Sequence, residues 1–395
     1  MNYKLPVEKM KNVNFGGGIR EILAQADAMQ MSGQDVIHLE IGRPDFDSPE
    51  CAKRAAIRAI ESGNVHYTDM SGTHELRHEL AAKFKRDAGM DIDPDNEIVV
   101  TVGAVEALAT VFMTMLSPGD EVIVPSPYFP TYDDQIKIAG GVVRAVSTKI
   151  ENGFRPDPAD IERAVTPKTR MIMINSPNNP TGATSTRAEL EAIAEIAKSR
   201  DLLMLSDECY EKFAYDESAP HISIASMPGM KERTFTLSAA SKTFSMTGWR
   251  VGWLVIPAET KSYIMKCHQG LATCANSFAQ AGAAEALRSA QPDVDRMIVE
   301  YKARRDLMID MLSKIDGINV PVPRGAFYAF PDIRELGLPS TEFCARLLSE
   351  TGVATVPGQP FGAPDGYMRM TYCRPRSEIK EALSRMGDFA AKLRR

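Results

Sequence analysis

From about Glu97 to Val255 the chain alternates between two hydrophobic patterns. Short apolar runs, most of them bounded by Gly, Pro, Ser or Asp, occur at Glu97–Thr101, Glu121–Val124, Gly141–Val146, Arg170–Ile174, Leu202–Leu205, Arg233–Leu237 and Gly252–Ile256. Runs of this length between turn residues read as strands buried on both faces. Between them lie longer stretches, such as Val105–Leu116 and Arg187–Lys198, whose apolar residues recur three and four positions apart and so share one face of a helix. Strands alternating with amphipathic helices predict βαβ units: a mostly parallel central sheet flanked by helices, an α/β fold.

Past about Arg304 the pattern changes to isolated strands and helices, with turns marked by Arg324-Gly325-Ala326-Phe327-Tyr328 and Val356-Pro357-Gly358. This predicts a smaller α+β domain, joined by the N-terminal forty or so residues. A single core stops growing at roughly 250–300 residues, so a chain of 395 is expected to divide. The expected division is a segment 1–45 joining the small domain, a large domain 46–295 and a small C-terminal domain 296–395. No repeat, low-complexity tract or Pro/Gly/Ser linker cuts the chain into independent halves.

Composition narrows the function. Apolar residues at 44% and charged residues at 25% are ordinary for a globular chain and argue against disorder. A formal charge of −6 without long runs of like charge leaves no electrostatic footprint for nucleic acid or an anionic membrane. Small-molecule chemistry is the better expectation. The six cysteines are scattered without a C-x-x-C pair, which suits a reducing compartment. No stretch approaches the roughly 18 apolar residues of a membrane span, and Met1-Asn2-Tyr3-Lys4-Leu5-Pro6 opens no signal sequence. A cytoplasmic protein is expected.

In open α/β sheets ligands bind beyond the carboxyl ends of the strands, so the residues following each apolar run carry the chemical information. Gly103-Ala104-Val105 open a helix after the first run, where free backbone N–H groups suit a phosphate. Tyr128 after the second is an aromatic able to cover a flat ring. Asn179 after the fourth is an amide donor on a Pro/Gly turn. Asp207 and Tyr210 follow the fifth, and Ser238, Ser241, Lys242 and Arg250 the sixth. Pyridoxal 5′-phosphate, a phosphorylated pyridine aldehyde, needs an amine, an acid for its ring nitrogen, donors for its phenolic oxygen, a stacking ring and a phosphate cradle. Lys242 would hold it as a Schiff base and then act as general base, and Asp207 would keep the ring nitrogen protonated. Tyr210 and Asn179 would hydrogen-bond the phenolic oxygen, and the Arg250 fork would pair with the phosphate.

Five signatures occur in order: Gly42-Arg43-Pro44-Asp45-Phe46; Tyr67-Thr68 with Gly72 and Leu76-Arg77; Asn179-Pro180-Thr181-Gly182; Asp207-Glu208-Cys209-Tyr210; and Ser241-Lys242 through Gly248-Trp249-Arg250. Over about Ile41 to Arg374 they resemble the class I aminotransferases of PLP fold type I, aspartate/aromatic aminotransferase-like. The resemblance implies that an amino group moves between an L-amino acid and a 2-oxo acid. It implies that Arg369 clamps the substrate α-carboxylate, aided by Asn179 and the backbone of Gly42. It also implies a homodimer with shared active sites, in which Tyr67 reaches the phosphate of the neighbouring subunit's cofactor. Two positions depart from the family pattern. Ala239, three residues before the lysine, stands where Gly or Ser is usual, so Ser238 or Ser241 would have to supply a missing hydroxyl. Arg43 stands where an acidic residue is more frequent.

Two other activities share parts of this sequence logic. A carbon–sulfur β-lyase of the same fold would use the same cofactor residues. His74-Glu75-Leu76-Arg77-His78 is a literal H-E-x-x-H, the helix pattern of a zinc metallopeptidase, but the extended third-ligand continuation is absent. A DNA-binding regulator built on this fold is disfavoured because no helix-turn-helix with a basic face precedes Gly42. Phe15, Ile19, Met113 and Phe361 suggest an apolar pocket for the substrate side chain.

Overall fold

The computed structural model describes residues 8–11, 13, 18–216 and 219–394. Phe15 lies outside the described residues. Twelve strands are described: β1 (Ile37–His38), β2 (Ile98–Thr101), β3 (Glu121–Ser126), β4 (Val142–Ser147), β5 (Thr169–Asn175), β6 (Leu203–Asp207), β7 (Thr234–Ala239), β8 (Gly252–Val255), β9 (Tyr328–Ala329), β10 (Val353–Ala354), β11 (Val356–Pro357) and β12 (Met368–Thr371). Each of the seven apolar runs read from sequence is a strand, β2 to β8, and together they form one seven-stranded sheet in the order β2-β8-β7-β6-β5-β3-β4. All neighbours pair parallel except β8, which runs antiparallel to both β2 and β7.

Burial explains why these runs were continuous and not alternating. Every residue of β2, β7 and β8 is buried, because helices cover both faces of the sheet. The edge strand β4 is mostly open to solvent and accordingly carries Arg144 and Ser147. Helix boundaries follow local chemistry. Thr186 and Glu189 form a reciprocal capping box at the start of Arg187–Ser199, and Gly89 closes His74–Ala88 in the left-handed conformation.

The smaller unit is α+β. The antiparallel sheet β11-β12-β9 packs through β11 with the helix Ser340–Thr351, which in turn packs with Arg376–Leu393. The N-terminal part of the chain joins it through β1, which pairs parallel with β10. The 22-residue helix Gln291–Leu312 packs against Arg376–Leu393 and also meets β9. Among the described residues no helix is long and apolar enough to cross a membrane.

The path of the chain through the large sheet determines where a ligand can sit. From β3 the chain goes outward to β4, then returns to the other side of β3 as β5 and continues to β6 and β7. Such a reversal opens a crevice at the carboxyl ends of the neighbouring strands. The loops that leave β3, β5, β6 and β7 therefore converge on one place, and β12 of the smaller unit faces it.

Candidate active site

One cavity of about 290 Å³ lies at this convergence, lined by Lys242, Asp207, Tyr210, Asn179, Arg250 and Arg369, with Gly42, Ala104 and Val105 on its wall. Residues separated by more than 300 positions in the chain thus surround one space. Lys242 sits on the single helical turn Ala240–Thr243 that directly follows β7, so the strand end sets its position. Its Nζ donates to the backbone carbonyl of Gly42 at 2.6 Å. Burial lowers the pKa of this amine, and the Arg369 and Arg250 charges push the same way. A lysine so placed releases its proton more readily than one on the surface.

Asp207 is the last residue of β6, buried between β5 and β7. Burial pushes its carboxyl group upward. Against that, Oδ2 accepts from the Tyr132 hydroxyl at 2.6 Å and Oδ1 from the Cys209 backbone N–H at 3.0 Å, both favouring the anion. Tyr210, three residues on, is buried with its hydroxyl 2.9 Å from that of Tyr328, and burial pushes its phenol well above the ordinary range, so it remains a donor.

Asn179 is held by its backbone N–H, which donates to Asn175 Oδ1 at 2.8 Å. Its Oδ1 accepts from Arg369 Nη1 at 3.1 Å, leaving the amide NH₂ as the end with protons to offer. Arg369 is only 3% exposed and also donates from Nη2 to the Glu40 carbonyl. Its guanidinium lies between the rings of Tyr328 and Phe361, at 4.8 and 4.7 Å from their centroids. Its Nε has no partner among the described residues. A buried cation with an unpaired donor is a place prepared for an anion.

At the opposite end of the cavity, Gly103 caps the helix Ala104–Met115 with φ near 82°. A side chain there is disfavoured by that φ and would also collide with the Arg250 guanidinium. Arg250 itself has φ 54°, and its Nη1 donates to the Thr247 carbonyl at 2.9 Å. A helix N-terminus and a guanidinium packed against each other make an anion cradle. The amine, carboxylate, phenol, amide and cradle together fit a phosphorylated pyridine aldehyde.

Tyr128 stands apart from the other expected residues. It does not line the Lys242 cavity but borders two adjoining ones, with its N–H donating to the Phe361 carbonyl at 2.9 Å. Phe129 faces the cavity instead, packed edge-on against Tyr132 at 5.6 Å. Successive residues on a non-helical stretch point in different directions, and the sequence offered both rings side by side. Tyr132, Phe129 and Tyr328 were missed by sequence reasoning; the one available signal was the aromatic spacing in Tyr128-Phe129-Pro130-Thr131-Tyr132.

Other expectations separate cleanly. Ser241 and Ala239 line the cavity, whereas the Ser238 hydroxyl is turned to the Glu208 carbonyl at 3.3 Å. Of the two serines only Ser241 is placed to replace a hydroxyl missing at Ala239. Arg43 is exposed and off the cavity wall. Ile19 lines the cavity, Phe361 is buried behind Arg369, and Met113 is 48% exposed outside it. Tyr67 is 89% exposed and does not reach the cavity of its own chain. His74 and His78 are exposed with their rings tilted against each other, centroids 3.9 Å apart, while Glu75 pairs with Arg288 at 2.8 Å. Among the described residues the group of three side chains with metal-ligand geometry is Glu208, Glu211 and His221, which excludes that pair.

The chain resembles known proteins over nearly its whole length. The profile of the family described as aminotransferase class I and II matches residues 34–386. An aromatic-amino-acid aminotransferase from Thermococcus litoralis is 43% identical over 356 residues, 89% of this chain and 91% of that protein. An aspartate aminotransferase from Pyrococcus abyssi is 42% identical over the same shares. The solved aspartate aminotransferase from Thermus thermophilus with maleate superposes with a TM-score of 0.92 at 37% identity, covering 98% of this chain and 100% of that one. The chain belongs to the class I and II aminotransferases, with the aspartate aminotransferase fold, PLP fold type I. It is an aminotransferase of the aspartate/aromatic type, and its family implies pyridoxal phosphate as the cofactor.

Proposed function

We propose that this aminotransferase moves an amino group between an L-amino acid and a 2-oxo acid using pyridoxal 5′-phosphate bound covalently to Lys242. The observation that carries this reading is the convergence of Lys242, Asp207, Tyr210, Asn179, Arg250 and Arg369 on a single cavity. When bound, the cofactor supplies an electron-withdrawing ring that acidifies the substrate Cα–H. The chain's own residues do the rest. Asp207 would pair with the ring nitrogen; Tyr210 and the Asn179 amide would donate to the phenolic oxygen. Arg250, the N–H groups at Gly103, Ala104 and Val105, and Ser241 would hold the phosphate, and Phe129 would cover the ring. Arg369 receives the substrate carboxylate, with Asn179 and the Gly42 backbone beside it. Lys242 would hold the cofactor and, as an unprotonated amine, would be the base that takes the substrate Cα proton, which its burial-lowered pKa favours.

The same reading includes a cytoplasmic homodimer in which Tyr67, exposed on one protomer, reaches the cofactor phosphate of the other, so that each site uses both chains. It divides the chain into segments 1–45, 46–295 and 296–395, the first joining the last through the β1–β10 pairing.

The direct test mixes cofactor-loaded protein with single L-amino acids and follows the visible absorbance, then adds single 2-oxo acids. Bleaching by an amino acid and its reversal by an oxo acid are the expected results. Pyruvate released from cystathionine without any added oxo acid would replace this reading with the carbon–sulfur lyase.

Arg369→Lys keeps the charge but loses the planar fork, and Nη1 no longer reaches Asn179 in the same geometry. Its kcat/KM should fall by roughly 100-fold, mainly through KM, as expected for loss of a bidentate carboxylate contact. Steady-state kinetics with amino acid and oxo acid varied separately decide this. An unchanged KM for both would remove Arg369 from carboxylate binding.

A further inference from the structure

Tyr328 is buried at 2% exposure and lines the Lys242 cavity. Its placement follows from strand register. In the antiparallel pair β9–β12, Tyr328 stands opposite Thr371, and Arg369 is two residues from Thr371 on the same strand. Residues two apart on a strand share a face, so Tyr328 and Arg369 are diagonal neighbours within reach of an aromatic and a long side chain. The guanidinium carbon indeed sits 4.8 Å from the Tyr328 ring centroid, and the Tyr328 hydroxyl meets that of Tyr210 at 2.9 Å. The same hydroxyl presses on Gly42, where any Cβ would overlap it, and the Gly42 carbonyl accepts from Lys242 at 2.6 Å. One side chain thus touches the residues assigned to the carboxylate and the phenolic oxygen, and the backbone that receives the lysine amine.

We propose that Tyr328 is a positioning residue that links the two ends of substrate recognition: its hydroxyl donates to Tyr210, aiming the Tyr210 proton into the cavity, while its ring face seats Arg369. This rests on the cofactor reading given above. The direction of the hydrogen bond has a physical basis. Burial raises both phenols, but the Arg369 guanidinium, 4.8 Å from the Tyr328 ring centroid, favours negative charge on the Tyr328 oxygen more than on that of Tyr210. The phenol beside the cation is the better donor. Tyr210, having accepted from Tyr328, keeps its own proton for an acceptor in the cavity, where the phenolic oxygen of the cofactor would lie. The Arg369 contact is a cation–π pair at a desolvated site, the setting in which such pairs are strongest.

Three proteins test it: wild type, Tyr328→Phe and Tyr328→Leu. The readouts are the pH titration of the visible absorbance of the lysine-bound cofactor and the equilibrium affinity for hydrocinnamate, a carboxylate without an amine. In Tyr328→Phe the titration midpoint should rise by about one pH unit, because the phenolic oxygen has lost an oriented donor that favours its anion. Hydrocinnamate affinity should stay within about twofold, since the ring remains. In Tyr328→Leu the midpoint should rise equally and the affinity fall roughly tenfold, as the cation–π seat is removed. In a Tyr210→Phe background, adding Tyr328→Phe should give no further change in midpoint, because the effect passes through Tyr210. A Tyr328→Phe titration identical to wild type would overturn the hydroxyl's role, and so would a full further rise in the Tyr210→Phe background. Wild-type affinity in Tyr328→Leu would overturn the role of the ring. If the wild type itself gives no lysine-bound absorbance, the underlying cofactor reading fails instead.

Discussion

Lys242→Ala protein should show no visible absorbance from covalently bound cofactor and should turn over amino acid and oxo acid roughly ten-thousandfold more slowly than wild type or worse. On the proposed reading two functions vanish with one amine. The covalent anchor is lost, and so is the general base, which alone contributes up to about 10⁴-fold in comparable sites. Among the described residues no second amine lines the cavity. The other nitrogens on the cavity wall belong to guanidiniums and an amide, none of which accepts a proton at neutral pH. Borohydride reduction followed by peptide mass mapping checks the anchor, and single-turnover kinetics check the base. His74→Ala, on an exposed helix face far along the chain from these residues, should retain turnover within about twofold. A labelled peptide that lacks Lys242, or a His74→Ala protein as inactive as Lys242→Ala, would remove the covalent reading.

The same lysine makes a separate prediction about cofactor-free protein. Its pKa is lower in the folded state than in the unfolded chain, so the unfolded chain binds the additional proton. The stability of the cofactor-free protein should therefore rise with pH between the two values, levelling off above the ordinary lysine value. Lys242→Met should flatten that dependence and melt higher than wild type at pH values below the ordinary lysine value, with the gap widening as the pH falls toward the lowered folded-state value. Melting curves of cofactor-stripped protein at several pH values test this without reference to activity.

What could be read from the sequence, and what could not, follows from the range of the interactions involved. Six of the seven strands of the large sheet were visible because they are largely buried on both faces, and burial on both faces leaves a continuous apolar run; the open edge strand β4 was visible through its β-branched valines. Lys242, Asp207 and Asn179 were visible because strand ends position them: each lies at, or a few residues beyond, the carboxyl end of β7, β6 or β5. The choice between Tyr128 and Phe129 was not visible, since the two rings are adjacent and only the docking of this loop on Phe361 decides which enters the cavity. Tyr132 was missed because its partner, Asp207, lies 75 residues away and its helix, Thr131–Ile138, looks like any other amphipathic turn. Tyr328 was missed for a related reason. Its strand has only two residues, too short for any periodic signal, and its neighbour Arg369 is brought to it by pairing across the small sheet. Tyr67 is of another kind: the role implied for it lies on a second copy of the chain, and one protomer displays it only as an exposed ring.

Asp207→Asn should lower kcat by roughly a thousandfold while leaving the fold and the covalent anchor intact, and Tyr132→Phe should reproduce a fraction of that loss. Asn keeps the shape of the side chain and the contact of Oδ1 with the Cys209 N–H, but it carries no charge. A neutral amide at the end of β6 cannot hold a proton on the cofactor ring nitrogen, and a ring without that proton withdraws electrons poorly. In a buried site a lost ion pair costs several kcal/mol, which is where the thousandfold expectation comes from. The Tyr132 hydroxyl donates to Asp207 Oδ2 at 2.6 Å, a charge-assisted bond whose removal costs on the order of 1.5–3 kcal/mol, or roughly ten- to hundredfold. The pH profile separates this from a packing effect. Burial already raises the Asp207 carboxyl, and the Tyr132 bond is the first of the interactions holding it down. Without that bond the carboxylate protonates at higher pH, so the acidic limb of kcat/KM in Tyr132→Phe should move upward and activity be lost earlier as the solution is acidified. A simple packing defect would lower the profile uniformly without moving the limb. An Asp207→Asn enzyme with wild-type kcat would show that the ring nitrogen does not rely on this carboxylate, and the assignment of β6 to the cofactor would have to be given up.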